Sequence, residues 1–203
     1  MNEMRTPFPP GDSMLLFFDT ETAGLPRNYK APVTDLPNWP RMVQLAWLLM
    51  DNDANEIASA EHIIRPEGFV IPAAAARIHG ISTEGALMDG IPIRDALTPL
   101  AAAVGSAFTI VAHNVSFDEK ILGAEFIRAG QRNHLESKSR KCTMKSAASF
   151  CRIPGPYGFK WPTLTELHRA LFTEPFEDAH NALADVRACA RCFFELRRLG
   201  VMT

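Results

Sequence analysis

The feature that most constrains how this chain can fold is a run of large apolar residues ending in acid, Leu15-Leu16-Phe17-Phe18-Asp19-Thr20-Glu21-Thr22-Ala23-Gly24. Four consecutive large apolar side chains, with Asp12 and Ser13 before them and a Gly24-Leu25-Pro26 break after, suit a central strand covered on both faces. Asp19 and Glu21 come at its carboxyl end, and the two-residue period of a strand points both to one face. Two carboxylates in one small volume repel unless a positive charge lies between them, and oxygen ligands of this kind suit hard divalent cations such as Mg²⁺ or Mn²⁺. An Asp-x-Glu pair is common in solvated turns too, so the case rests on distant partners.

Further along, the chain alternates strand and helix signals. A proline-rich stretch (Pro26, Pro32, Pro37, Pro40) can be neither helix nor central strand and reads as a long loop bordering a substrate. Arg41–Met50 and Ile57–Arg65 read as an antiparallel pair of strands around a polar turn. A short helix follows at 72–78 and a brief turn starts at 82–85, then come a longer helix at 92–107, a short buried strand at 109–112, a helix at 116–129 and one more short strand at 141–144. Helices at 163–172 and about 181–199 close the chain. This order predicts an α/β fold, a mixed β-sheet flanked by helices, in one domain at 14–203 after a flexible leader at 1–13, with the active edge at strand carboxyl ends.

Two further stretches bring polar chemistry to that edge. His113-Asn114-Val115-Ser116-Phe117-Asp118 puts a third carboxylate just past the second buried strand, about 5 Å to the side of the first pair if the strands are neighbours. Taken alone, Asp118 reads better as an acid complementing a helix N-terminus. In His180-Asn181-Ala182-Leu183-Ala184-Asp185 the outer residues are about 140° apart on a continuous helix, so both face one site only if Asn181 caps the helix and His180 precedes it. By itself this segment also reads as a cap followed by a surface acid.

Composition narrows the class. Hydrophobic residues make up 47% and charged residues 22%, as in globular proteins; no apolar run reaches 18 residues, and no signal-peptide core precedes Ser13. The expectation is a cytoplasmic protein without a membrane span. A net charge of −2 argues against a broad basic surface for duplex nucleic acid, and no clear basic track stands out. Of the four cysteines only Cys189 and Cys192 form a C-x-x-C, and beside Phe193 and Phe194 they read as reduced core thiols rather than a zinc or redox pair.

Together, Phe18–Leu25, His113–Asp118 and His180–Asp185 resemble the DnaQ-like, or DEDDh, 3′-to-5′ exonucleases of the ribonuclease H-like fold, with weaker echoes at Arg77–Ile81 and Thr163–Leu167, all in family order. The resemblance implies that Asp19, Glu21 and Asp185 bind one divalent metal ion, Mg²⁺ or Mn²⁺, that Asp19 bridges to a second held by Asp118, and that His180 is the general base. It also implies substrate contacts from Thr20, Thr22, Ala23, Gly24, Leu25, His113, Asn114 and Phe117. The implied partner is a single-stranded or frayed 3′ end of DNA, with RNA open, and the implied reaction is release of nucleoside 5′-monophosphates in the manner of the DNA polymerase III epsilon subunit. After Leu199 little remains for a polymerase tether, so a stand-alone nuclease is expected. The rivals are an exoribonuclease of the RNase T or oligoribonuclease type and a non-catalytic nucleic-acid-binding module; the second gives no reason to keep mutually repelling acids.

Overall fold

A computed structural model describes residues 14–174 and 181–202. The main sheet has five strands in the order β3-β2-β1-β4-β5: β1 (Leu15–Thr22), β2 (Met42–Met50), β3 (Glu56–Ile63), β4 (Thr109–Ala112) and β5 (Ser139–Cys142). β1 pairs antiparallel with β2 and parallel with β4, so the acid-bearing strand stands at the junction of an antiparallel meander and a parallel half. Between β3 and β4 lie α1 (Ala73–His79), α2 (Thr83–Asp89) and α3 (Ile93–Ser106). α4 (Val115–Arg128) joins β4 to β5, and α5 (Thr143–Ser146), α6 (Ala148–Cys151), α7 (Leu164–Phe172) and α8 (Ala182–Arg198) follow.

Alternation along β1 builds two cores. Leu16 and Phe18 point to one face and pack with α3 and α4 through Leu97, Leu100, Ile121 and Leu122. Leu15 and Phe17 point to the other, where α8 supplies Val186, Cys189 and Phe193. Phe17 meets Phe193 edge-on at 5.3 Å. Cys189 and Cys192 are buried here, and burial pushes the Cys192 thiol up to about 12, which leaves it inert as a ligand or redox group at neutral pH.

Three segments differ from expectation. The brief turn at 82–85 is the start of α2, which Ser82 caps by accepting from the Gly85 amide at 3.0 Å. The strand expected at 141–144 lies at Ser139–Cys142, and Thr143 already begins a helical turn. Between α6 and α7 the chain also forms an unexpected hairpin of β6 (Pro154–Gly155) and β7 (Gly158–Phe159), whose arms are too short to carry a periodic signal. The last helix is as expected, with the Asn181 side chain accepting from the Leu183 and Ala184 amides.

The proline-rich loop is firmly held. Lys120 Nζ donates to the carbonyls of Tyr29 and Ala31, and Arg128 Nη2 donates to those of Leu36 and Trp39. Arg128 and Arg41 in turn converge on Glu125, whose Oε1 lies 2.9 Å from each and also accepts from the Met42 amide at 3.1 Å. Glu125 is fully buried, so its loss leaves two guanidinium groups uncompensated. Glu125→Ala is expected to lower unfolding free energy by about 3–5 kcal/mol in urea titration; a loss below about 1 kcal/mol would show that the loop does not depend on this carboxylate.

Candidate active site

Parallel pairing of β1 with β4 runs from Leu15↔Thr109 to Phe17↔Val111 and then stops. Continuing that register by two residues sets Asp19 level with His113. Past this point the strands diverge, as parallel strands do at their carboxyl ends, and α4 takes the place of β4. The Thr20 amide and hydroxyl, which have no strand partner on that side, donate to Asp118 Oδ1 at 3.2 and 2.8 Å. Asp118 is thereby fixed, buried, in the first turn of α4.

Asp19 and Glu21 share the face of Leu15 and Phe17, which is the face that α8 covers. Asp185, one helical turn before the buried Cys189, meets them there: oxygens of Asp19, Glu21 and Asp185 all lie within 4.8 Å of one another. Asp118 approaches from the α4 side and is close enough to act on Asp19 and Glu21 electrostatically. Burial, followed by the charges of Asp118, Asp185 and Glu21, holds the Asp19 carboxyl well above the usual range. Burial and Asp185 raise Glu21 to about 8, and burial raises Asp118 to about 7 against the opposing pull of its Thr20 hydrogen bonds. A cluster of hard oxygen donors that cannot all ionise together is chemically fitted to a divalent cation, which would replace the retained protons.

The position of α8 relative to β1 is set by a residue the sequence reading passed over. Gln44, opposite Glu21 in the β1–β2 register, is buried. Its Oε1 accepts from the Ala182 amide at 3.1 Å and its Nε2 donates to Glu61 at 2.8 Å. The side chain thus satisfies an orphan donor in the first turn of the helix that carries Asp185. A signal was present: Gln44 is the sole polar residue in the Met42–Met50 run.

The other expected site residues are placed as follows. His113 is half-buried with both ring nitrogens engaged: Nε2 with the Pro162 carbonyl at 3.0 Å and Nδ1 with Thr143 Oγ1 at 2.9 Å. Burial lowers its pKa to about 4, so the ring is neutral; the carbonyl can only accept, hence Nε2 carries the hydrogen and Nδ1 accepts from the hydroxyl. His113 therefore braces β4 against α5 and the segment before α7. The Thr20 amide and hydroxyl are turned inward onto Asp118, and the Ala23 amide donates to the Arg41 carbonyl at 2.9 Å. Thr22 Oγ1 donates to the Gly24 carbonyl at 2.7 Å. Asn114 takes the N-cap position of α4 in a left-handed conformation (φ 80°), which Asn tolerates better than most residues. Leu25 is 73% exposed, and Phe117 is half-buried with its ring 6.4 Å from that of the exposed Tyr29. His180 lies outside the described residues.

With this geometry in view, the chain can be set beside known proteins. A family model described as "Exonuclease", of the RNase T type, matches residues 16–193. The chain belongs to the DnaQ-like 3′-to-5′ exonuclease family. Its fold is the ribonuclease H-like one, and solved structures share it. E. coli Exonuclease I in complex with a dA16 oligonucleotide matches with a TM-score of 0.71 at 21% identity over 92% of this chain and 41% of that one. The zinc-bound form of the E. coli enzyme with single-stranded DNA matches with a TM-score of 0.72 at 21% identity, again over 92% and 41%. The moderately thermophilic Exonuclease I from Methylocaldum szegediense gives 0.67 at 21%, over 92% and 40%. The chain thus spans about two-fifths of the length of those proteins. Comparison with curated protein sequences gives no match. Among the described residues no helix is long and apolar enough to cross a membrane.

The acid cluster gives stability a defined pH dependence. Glu21 and Asp118 bind protons in the folded state up to about 8 and 7, against ordinary values of 4.5 and 3.8. Between those limits the folded state holds more protons than the unfolded one, so stability is fullest below about pH 4 on this account and is lost as pH rises toward 8. The melting temperature of metal-free protein should therefore fall from pH 5 to 8, and Glu21→Gln should flatten the fall. Added Mn²⁺ should raise the melting temperature more at pH 8 than at pH 6. A Mn²⁺ effect that shrinks with rising pH would contradict the assignment of the cluster as a cation site.

Proposed function

We propose that this exonuclease hydrolyses the last phosphodiester at a DNA 3′ end and releases nucleoside 5′-monophosphates one at a time, the chemistry of the DNA polymerase III epsilon subunit. The observation that carries this reading is the convergence of Asp19, Glu21 and Asp185 oxygens within 4.8 Å, with Asp118 fixed alongside by Thr20. DNA is favoured as substrate because the solved relatives of the same fold include complexes with dA16 and dT13 oligonucleotides.

Asp19, Glu21 and Asp185 would hold one divalent cation, Mg²⁺ or Mn²⁺, and Asp19 with Asp118 a second. Two such ions, when bound, lower the pKa of the attacking water and stabilise charge on the phosphate and the leaving 3′ oxygen. The chain's own residues do the rest. Thr20 keeps Asp118 from rotating out of the cluster, and the bond from the Ala182 amide to Gln44 keeps Asp185 in register with Glu21. His180 is proposed as the general base that takes the proton of the attacking water. Support for this comes from the cap at the neighbouring residue: Asn181 begins α8, whose first turn carries Asp185. Leu25, Phe117 and Tyr29 offer apolar surface for the terminal base, Leu25 as a wedge and the two rings as a wall.

The reading is tested with 5′-labelled single-stranded DNA in Mg²⁺ or Mn²⁺, where products should shorten in a ladder from the 3′ end. Circular single strands, which have no end, should survive; their rapid cutting would indicate an endonuclease. Asp19→Ala should abolish hydrolysis and weaken Mn²⁺ binding in calorimetry, with no loss of thermal stability in metal-free buffer, since it removes one member of a repelling cluster.

His180→Ala should separate base from ligand. Turnover should fall about 10²- to 10⁴-fold while Mn²⁺ affinity stays close to that of the parent, and activity should lose the limb that follows imidazole protonation below neutral pH. Retention of full turnover, or an unaltered pH profile, would remove His180 from the mechanism.

A further inference from the structure

Residues 138–163 contain six Lys or Arg side chains and no Asp or Glu, so all 23 acids of a chain with net charge −2 lie outside this stretch. The same stretch holds three of the five exposed aromatic rings among the described residues: Tyr157 is 104% exposed, Phe159 53% and Trp161 59%. They lie on and beside the β6–β7 hairpin, where Pro156 and Tyr157 form the turn and the Lys160 amide extends the ladder by donating to Ile153 at 2.9 Å. So small a ribbon has no face able to bury large rings. Three of them in five residues form a surface that would be costly to leave in water without an occupant.

The segment that follows the hairpin is tied to the strand end next to Asp19. Trp161 leads into the buried Pro162, whose carbonyl is held by His113, and His113 stands level with Asp19 across the gap between β1 and β4. Cations are interleaved with the rings. Lys145 Nζ lies 5.7 Å from the Trp161 ring, Lys160 sits between Phe159 and Trp161 and pairs with Glu166 at 2.6 Å, and Arg152 is exposed at the foot of the hairpin.

We propose that this hairpin is a second nucleic-acid contact, separate from the acid cluster, on which unpaired bases upstream of the 3′ end stack against Tyr157, Phe159 and Trp161 while Lys145, Arg152 and Lys160 follow the phosphates. The inference rests on the exonuclease reading above. Chemistry selects the occupant. Unpaired bases present ring faces that a duplex hides, and aromatic rings set among cations are how single strands are bound without regard to sequence. Protein interfaces are instead depleted of lysine at their centres, which a surface set with Lys145 and Lys160 among its rings does not match. The hairpin would let a strand too short to reach it be told from one that spans both contacts.

Intrinsic fluorescence offers a direct test, because Trp39 and Trp47 are buried and Trp161 is the one exposed tryptophan of three. In EDTA, where hydrolysis is off, an oligothymidylate of about 15 nucleotides should quench Trp161 and one of about 3 should not, the contrast that stacking away from the terminus demands. Trp161→Phe should remove the quench. Tyr157→Ala and Phe159→Ala should each lower the ratio of long-strand to short-strand affinity by roughly 5- to 150-fold. Lys145→Gln and Arg152→Gln should each reduce the salt slope of long-strand binding by about 0.7. Tyr157 is fully exposed, so its substitution tests the proposal even if a change at Trp161 disturbs the fold. An absent quench, or a length ratio unaltered by Tyr157→Ala, overturns the platform and gives the surface to a different class of partner. Failure of the parent protein to shorten even a short strand in Mg²⁺ or Mn²⁺ overturns the exonuclease reading instead, and the EDTA titration does not depend on turnover.

Discussion

The repulsion among Asp19, Glu21, Asp118 and Asp185 is the constraint from which most of this architecture follows. Left to themselves, carboxylates this close would move apart or draw in water, and in the folded chain burial and the neighbouring charges favour the protonated forms of Asp19, Glu21 and Asp118 instead. Holding them together requires rigid support from opposite sides of the sheet. β1 supplies that from its central place between β2 and β4. α4 and α8 approach from its two faces, each tied to the sheet by a hydrogen bond at its first turn: Asp118 to Thr20, and the Ala182 amide to Gln44. The strain lies at the site and its compensation in the surrounding core, the usual division of labour at a functional centre.

Much of this was legible in the sequence because it depended on local rules. β4 falls at Thr109–Ala112 as expected, since three β-branched residues in a row next to a polar turn have few other solutions. The Asn181 cap could be read for a similar reason: one side chain satisfies two amides that any helix leaves open. The face shared by Asp19 and Glu21 followed from the period of a strand alone. None of this needed knowledge of which elements touch.

What stayed hidden depended on contacts between distant segments. Gln44 looks like an isolated polar residue in an apolar strand until α8 is laid across it. His113 is a ligand-like residue by type, but Thr143 and Pro162, thirty and forty-nine residues later, occupy both its nitrogens. The β6–β7 hairpin is too short for any periodicity, and its charge was masked by a whole-chain average near zero. Long-range hydrogen bonds and local charge segregation are properties of a folded surface, and composition averages them away.

The attachment of Asp185 to α8 has a consequence for the protein's own synthesis. The first two acids leave the ribosome early in β1, and the last about 165 residues later on the final helix. A nascent chain that has folded only its meander and parallel strands holds an incomplete ligand set, with no Asp185 to close it. On the proposed function, hydrolysis is thereby withheld until Asp185 has been made and α8 has packed, because the order of the elements along the chain already acts as the safety catch.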